Sequence, residues 1–131
     1  MNIAEKLNIL IMRYRRTRRS GKYNAVKTIV DGITFGSKKE ARRYGVLKLL
    51  LRAKKISNLE VHPEFPLYAS NPETGLLERV GKYVGDFSYF DNEIKDVVVE
   101  DVKSKATMTT IYRFKKKMMK ANYGIEIKEI F

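Results

Sequence analysis

An acid and a lysine one residue apart, Asp101 and Lys103, close the stretch VVVEDVK at residues 97–103. Its three β-branched valines read as a short buried strand. Side chains alternate across a strand, so Asp101 and Lys103 share the face of Val99, while Glu100 and Val102 point the other way. A carboxylate and an ammonium held side by side are suited to phosphate chemistry. The carboxylate offers hard oxygens to Mg²⁺, and the ammonium can position water or stabilise charge developing on phosphate. The same D-x-K is also the form of a surface ion pair at a strand end, so it needs company. Residues 80–90, VGKYVGDFSYF, supply some. Read as one strand, they put Tyr83, Gly85, Phe87 and Tyr89 on one face and Val84, Asp86, Ser88 and Phe90 on the other. Asp86 thus falls inside an apolar strand, beside a glycine that leaves room for another group to approach. The turn Asp91-Asn92-Glu93 returns the chain antiparallel, which brings Asp86 close to Asp101. Two carboxylates at short range repel unless one is protonated or a cation lies between them, and a divalent metal is the economical explanation.

The remaining elements must position these groups. Ser37-Lys-Lys-Glu40 has the form of a capping box and opens a helix to about residue 55, with Ala41, Tyr44, Leu47, Leu50 and Leu51 as its buried stripe. Glu40 has two readings: a cap explains its identity, and its place at the head of the inward face would give it a role in the site. Before this helix, residues 26–35 read as a short hairpin turning at Asp31-Gly32. After it, residues 59–62 and 65–68 read as strand segments broken by Pro63 and Pro66, at an edge or a bend. The bend makes His62 a structural or surface residue. Residues 107–122 read as a second helix with Ile111, Phe114, Met118 and Ala121 inward and Gly124 as its stop. Its outer face carries Arg113, Lys116, Lys117 and Lys120, either a solvated face or a track for DNA. Residues 125–130 close the chain as a strand, and a strand–helix–strand connection of this length favours a parallel pair with the valine strand. The order is helix, three strands, helix, strand: an α/β domain with a central mixed sheet flanked by helices.

The 131 residues, 44% hydrophobic, suit one compact domain. Lys+Arg 27 against Asp+Glu 15 gives a net charge of +12, which favours a polyanionic partner. With no cysteine and a single histidine, disulfides, thiol nucleophiles and His-based zinc sites are excluded, so carboxylates and lysines must carry any chemistry. No stretch reads as a signal peptide or a membrane span, and the default expectation is a cytosolic protein. Residues 1–22 read as a separate N-terminal unit, an amphipathic helix over 3–14 running into an arginine-rich arm; 23–131 form the domain. The helix would pack on the core or on a second subunit. Arg13, Arg15, Arg16, Arg18, Arg19 and Lys22 make the arm a phosphate-binding segment or a solubilising tail, and the net charge favours the former.

The successive patterns KYNAVKTIVDGITFGSKKEA, KYVGDF, VVVEDVKS and YGIEIKEI resemble the PD-(D/E)xK nuclease superfamily, and more narrowly its small phage-type members grouped with Holliday junction resolvases. The resemblance implies a restriction-endonuclease-like αβββαβ core and a Mg²⁺-dependent endonuclease, with Mn²⁺ substituting, that cuts branched DNA as a homodimer in the cytosol of a bacterial host. It implies that Asp86 and Asp101 hold the metal, with a backbone carbonyl near Val102 helping, that Glu40 completes the site, and that Lys103 activates water or stabilises the phosphate. Gly85 stands where the signature has proline. Strand alternation favours Asp101 over Glu100 as the ligand and leaves Glu100 a supporting place. Two other readings stand beside this one: a basic DNA-binding or architectural protein without catalysis, and a nuclease of the same chemistry acting on duplex DNA in transposition or repair.

Overall fold

A computed structural model describes residues 26–131. The predicted helix over 3–14 and the basic residues from Arg13 to Lys22 lie outside the described residues. Strands β1 (Thr28–Val30) and β2 (Ile33–Phe35) form the expected hairpin. Asp31 and Gly32 both take positive φ, 51° and 72°, the backbone of a type I′ turn, whose twist matches that of the strands it joins.

Helix α1 spans Lys38–Arg52. Ser37 caps it, accepting the Glu40 backbone N–H at 3.1 Å, and the chain leaves it through Lys54 at φ 59°. Ala41, Tyr44 and Leu47 are buried at one-turn spacing, with Leu50 and Leu51 packed at the margin.

Five strands follow rather than three: β3 (Ile56–Val61), β4 (Glu64–Ser70), β5 (Leu77–Val84), β6 (Phe87–Asp91) and β7 (Asp96–Val102). Helix α2 (Thr110–Tyr123) and strand β8 (Lys128–Ile130) complete the chain. The central sheet has the order β3-β6-β7-β8 and is mixed: β6 is antiparallel to β3 and β7, and β8 is parallel to β7. Among the described residues, strands β4 and β5 pair only with each other, as a hairpin inserted between β3 and β6. With that hairpin set aside, the sheet is built in the expected order of helix, three strands, helix, strand.

Residues 80–90 are not one strand. The chain breaks at Gly85-Asp86, where β5 of the hairpin ends and β6 of the sheet begins. Tyr83 and Phe87, read from alternation as sharing a face, enter different clusters. Tyr83 joins Phe65, Val97, Val99, Tyr112 and Met119 on the α2 side; Phe87 joins Phe35, Tyr44, Leu47 and Tyr89 on the α1 side. The sheet therefore has apolar packing on both faces, which explains the near-continuous apolar runs of β6 and β7.

Helix α2 is rotated from its expected orientation. Ile111 and Phe114 are exposed, and Tyr112, Met119 and Tyr123 are the buried residues. The reason is the amphipathic character of tyrosine, which buries a large ring provided its hydroxyl finds an acceptor. Tyr112 donates to Glu129 at 3.2 Å, and Tyr123 donates to the Pro66 carbonyl. The side chain of Asn122 fastens the same helix to the hairpin, accepting from Tyr68 N–H at 2.6 Å and donating to its carbonyl at 3.1 Å. Gly124 ends the helix at φ 64°, as its position in the sequence suggests. The closing strand is shorter than residues 125–130, because Ile125 and Ile127 are spent on the core before pairing begins at Lys128.

Candidate functional site

The site sits where two chain breaks are tied together. His62 follows β3 with a φ of 54°, and its N–H donates to the Asp86 carbonyl at 2.9 Å. Gly85 N–H donates to the Pro63 carbonyl at 3.0 Å, and Asp86 N–H donates to the Glu100 carbonyl at 3.0 Å. The bend after β3 and the break before β6 thus hold each other, and both are pinned to β7. At Gly85 an added Cβ would lie 3.2 Å from Val99 Cγ1 and 3.4 Å from Pro63, so only glycine fits without displacement.

Onto this corner the first turn of α1 lowers Glu40. Its Oε2 accepts from Ser37 Oγ at 3.3 Å, so capping and facing the site prove compatible: the backbone N–H takes the cap while the carboxylate reaches inward. Ligand atoms of Glu40, His62 and Asp86 all lie within 4.8 Å of one another, with Glu40 Oε1 and His62 Nε2 3.9 Å apart. His62 Nε2 is buried and makes no hydrogen bond among the described residues. Asp86 Oδ2 accepts the Val102 N–H at 2.6 Å. Burial, then the neighbouring Glu40 and after it Asp101, push the Asp86 carboxyl up to about 9, against the opposing pull of the Val102 N–H. Such crowding of acids favours uptake of either a proton or a cation.

Asp101 and Lys103 share a face, as alternation requires, and both are buried. Lys103 Nζ lies 3.0 Å from Asp101 Oδ1 and 3.5 Å from the centroid of the Tyr112 ring, a desolvated cation held over an aromatic face. Asp101 Oδ2 accepts from Tyr83 O–H at 2.5 Å. The Tyr83 hydroxyl is pushed far above its usual range by burial and then by the Asp101 charge, so it remains a donor at any working pH. The Lys103 carbonyl accepts from Lys39 Nζ at 2.9 Å, which ties the start of α1 to the end of β7.

Glu100 is fully buried and committed elsewhere. Arg43 donates to both of its oxygens, at 2.7 and 2.6 Å, and Tyr89 O–H donates at 2.5 Å. Its carboxylate therefore faces α1, away from Asp101, and serves the packing between α1 and the sheet.

The expected residues Glu40, Asp86, Asp101 and Lys103 all lie at this end of the sheet. Among the described residues, the three groups that could share one cation are Glu40, His62 and Asp86, with Asp101 alongside and engaged by Lys103 and Tyr83. Sequence reasoning missed His62, Arg43 and Tyr83. The run of X-Pro bends around His62 was a signal of special backbone, but nothing local tied that bend to Asp86. On α2, Arg113 and Lys117 are exposed, while Lys116 is 2.6 Å from Glu129 and Lys120 is 3.3 Å from Glu126. Half of the expected basic track is thus partly neutralised. The arm residues Arg13, Arg15, Arg16, Arg18, Arg19 and Lys22 lie outside the described residues.

Fold and site define an α/β domain with a buried centre of carboxylates, one imidazole and one lysine at the end of a mixed sheet. A family model described as "Protein of unknown function (DUF1064)" matches residues 20–130, and the chain belongs to that family. No curated protein and no solved structure matches it. None of the described helices is long and apolar enough to cross a membrane.

Proposed function

We propose that this protein is a metal-dependent endonuclease that hydrolyses DNA phosphodiesters, with branched DNA as its substrate and a homodimer as its working form. The observation that carries the reading is the convergence of Glu40 and Asp86 with a desolvated Asp101–Lys103 pair, at one end of a sheet built helix, three strands, helix, strand. The order is compatible with the PD-(D/E)xK architecture. The net charge of +12 suits a polyanionic substrate.

The donor set fits a divalent cation: two carboxylates and an imidazole within 4.8 Å, with an Asp86 carboxyl that burial and like charge hold in its protonated form in the absence of a cation. Mg²⁺ or Mn²⁺ bound there supplies Lewis-acid polarisation of the phosphate and an acidic water. Glu40 and Asp86 would hold that ion, beside an Asp101 engaged by Lys103 and Tyr83. Lys103 lies beside Asp101 and over Tyr112, where its ammonium can orient a water or meet charge on a phosphoryl oxygen. Val102 N–H fixes the Asp86 carboxylate, and Tyr83 fixes that of Asp101. A two-fold dimer gives two such centres for two strands, which is what paired cuts at a junction require.

The test is cleavage of a synthetic four-way junction beside duplex and single strands of matching sequence, in Mg²⁺, Mn²⁺ or EDTA, with wild type and the variants Asp86→Asn, Asp101→Asn and Lys103→Met. Symmetric paired cuts of the junction by wild type with metal, and loss of at least about 100-fold in each variant with DNA binding kept, support the reading. If the junction is bound but uncut with every divalent ion, a basic DNA-binding or architectural protein takes its place. Cutting of plain duplex at equal rate points instead to a nuclease of transposition or repair.

A further inference from the structure

We infer that His62 is a third protein ligand of the cation, and that it makes the centre select Mn²⁺ over Mg²⁺. The inference rests on the reading that Glu40 and Asp86 hold a divalent ion, and it names what that ion must be.

Three observations converge on His62. The first is spacing. Ligands of one small divalent ion each lie about 2.1 Å from it, so their atoms stand roughly 3.0 Å apart when adjacent and about 4.2 Å apart when opposite. His62 Nε2 and Glu40 Oε1 are 3.9 Å apart, too far for a hydrogen bond and inside the range set by a shared ion. The second is satisfaction. A buried imidazole nitrogen ordinarily finds a donor or an acceptor, and His62 Nε2 has none among the described residues although its ring is held against Phe35 with centroids 6.0 Å apart. At 3.9 Å the ring nitrogen makes no hydrogen bond to Glu40, whereas a cation between the three groups would be in reach of a ligand atom from each.

The third is backbone. His62 occupies the left-handed region, at φ 54°, and its N–H is bonded to the carbonyl of Asp86 itself. Non-glycine residues rarely adopt that conformation, and here it directs the ring toward the corner occupied by Asp86. The hydrogen bond makes the two ligands one rigid unit rather than two loops that meet by chance.

The chemical consequence follows from ligand softness. An all-oxygen centre suits Mg²⁺, which tolerates nitrogen poorly and keeps most of its waters. Replacing one oxygen by imidazole favours ions later in the first transition row, Mn²⁺ being the first of these that remains compatible with two carboxylates. The carboxylate pair sets that the site binds a divalent cation; His62 sets which one.

The experiment uses the full chain, metal-free, titrated calorimetrically with MnCl2 and with MgCl2, for wild type, His62→Ala and Asp86→Asn. Thermal unfolding of each variant without metal checks that it is folded. Wild type is expected to bind Mn²⁺ at least about tenfold more tightly than Mg²⁺. His62→Ala is expected to lose most of that preference, with Mn²⁺ binding weakened at least tenfold and Mg²⁺ binding changed less than about threefold. The chain has a single histidine, so pulsed EPR of Mn²⁺-loaded wild type has one imidazole that can give a nitrogen coupling, and His62→Ala should abolish it. Mn²⁺ bound without nitrogen coupling, and with an unchanged preference in His62→Ala, overturns the inference while the carboxylate centre stands. Should wild type and Asp86→Asn alike bind neither ion, the metal-dependent reading falls together with it.

Discussion

Arg43 grips Glu100 through two hydrogen bonds, 2.7 and 2.6 Å long, between one turn into helix α1 and the middle of the buried strand β7. This pair closes the Glu100 carboxylate off from the neighbouring Asp101–Lys103 pair. With Glu100 turned to α1 and closed by Arg43 and Tyr89, Asp101 alone shares a face with Lys103. A buried carboxylate that keeps its charge needs such a partner, and the fork of an arginine is the one that satisfies both oxygens.

Removing Arg43 should therefore be costly to stability rather than to chemistry. Arg43→Ala leaves a fully buried carboxylate facing α1 without its cation, a loss of about 3–5 kcal/mol. Arg43→Lys should recover part of it, because the charge returns without the fork. Urea unfolding measures both, and a loss below about 1 kcal/mol for Arg43→Ala would refute the role assigned to the pair.

Tyr83→Phe deletes the hydroxyl that donates to Asp101 at 2.5 Å and leaves one carboxylate oxygen without that donor. The expected cost is about 1–3 kcal/mol, from loss of a hydrogen bond to a charged group. Under the proposed nuclease activity, cleavage should slow as well, since Lys103 then holds Asp101 from one side only. Equal stability and equal cleavage rates in the two proteins would remove Tyr83 from the account.

The pH dependence of the metal-free protein follows from Asp86. Its carboxyl is raised in the folded chain from the ordinary 3.8 to about 9, by burial first and by Glu40 and Asp101 next. Between those values the folded state binds more protons than the unfolded one, so this group makes stability fall as pH rises through that window. Asp86→Asn should flatten that fall, and unfolding curves taken from pH 5 to pH 9 test it. A cation bound at the proposed centre would displace this proton, so stabilisation by MnCl2 should grow with pH across the same window. A Mn²⁺ effect that shrinks from pH 6 to pH 8 would contradict the protonated centre.

Gly85 permits a test of the corner itself. Gly85→Pro removes the N–H that donates to the Pro63 carbonyl and forces ring atoms against Val99. We expect a loss of about 3 kcal/mol or more and weaker Mn²⁺ binding, because one of the two hydrogen bonds tying the bend after β3 to the break before β6 is lost and crowding at Val99 strains the other, from His62 N–H to the Asp86 carbonyl. Gly85→Ala should cost less, about 1 kcal/mol, as Val99 has only a few tenths of an ångström to yield. A fully stable Gly85→Pro would show that the tie between the bends is dispensable.

Much of this protein was legible in its sequence because the signals were local. The type I′ turn at Asp31-Gly32, the Ser37 cap, the Gly124 stop and the alternation that puts Asp101 beside Lys103 each depend on residues within a turn or a strand of one another. The nearness of Asp86 to Asp101 also followed, since a short antiparallel turn leaves few registers. What the tertiary structure alone decided depends on chain segments far apart. The break at Gly85-Asp86 is set by packing of Val99 and Pro63 against the backbone, and periodicity has no access to it. The inward face of α2 went to Tyr112 and Tyr123 because Glu129 and the Pro66 carbonyl were there to accept their hydroxyls, whereas hydropathy favoured Ile111 and Phe114. Alternation already favoured Asp101 over Glu100, but the partner that closes off Glu100 waited on Arg43, 57 residues away, and the place of His62 waited on a hydrogen bond to the Asp86 carbonyl. Local propensity fixes which groups a strand or helix presents. Only the closing of one element on another settles which of those groups meet, because a buried polar atom takes whatever partner the fold brings to it.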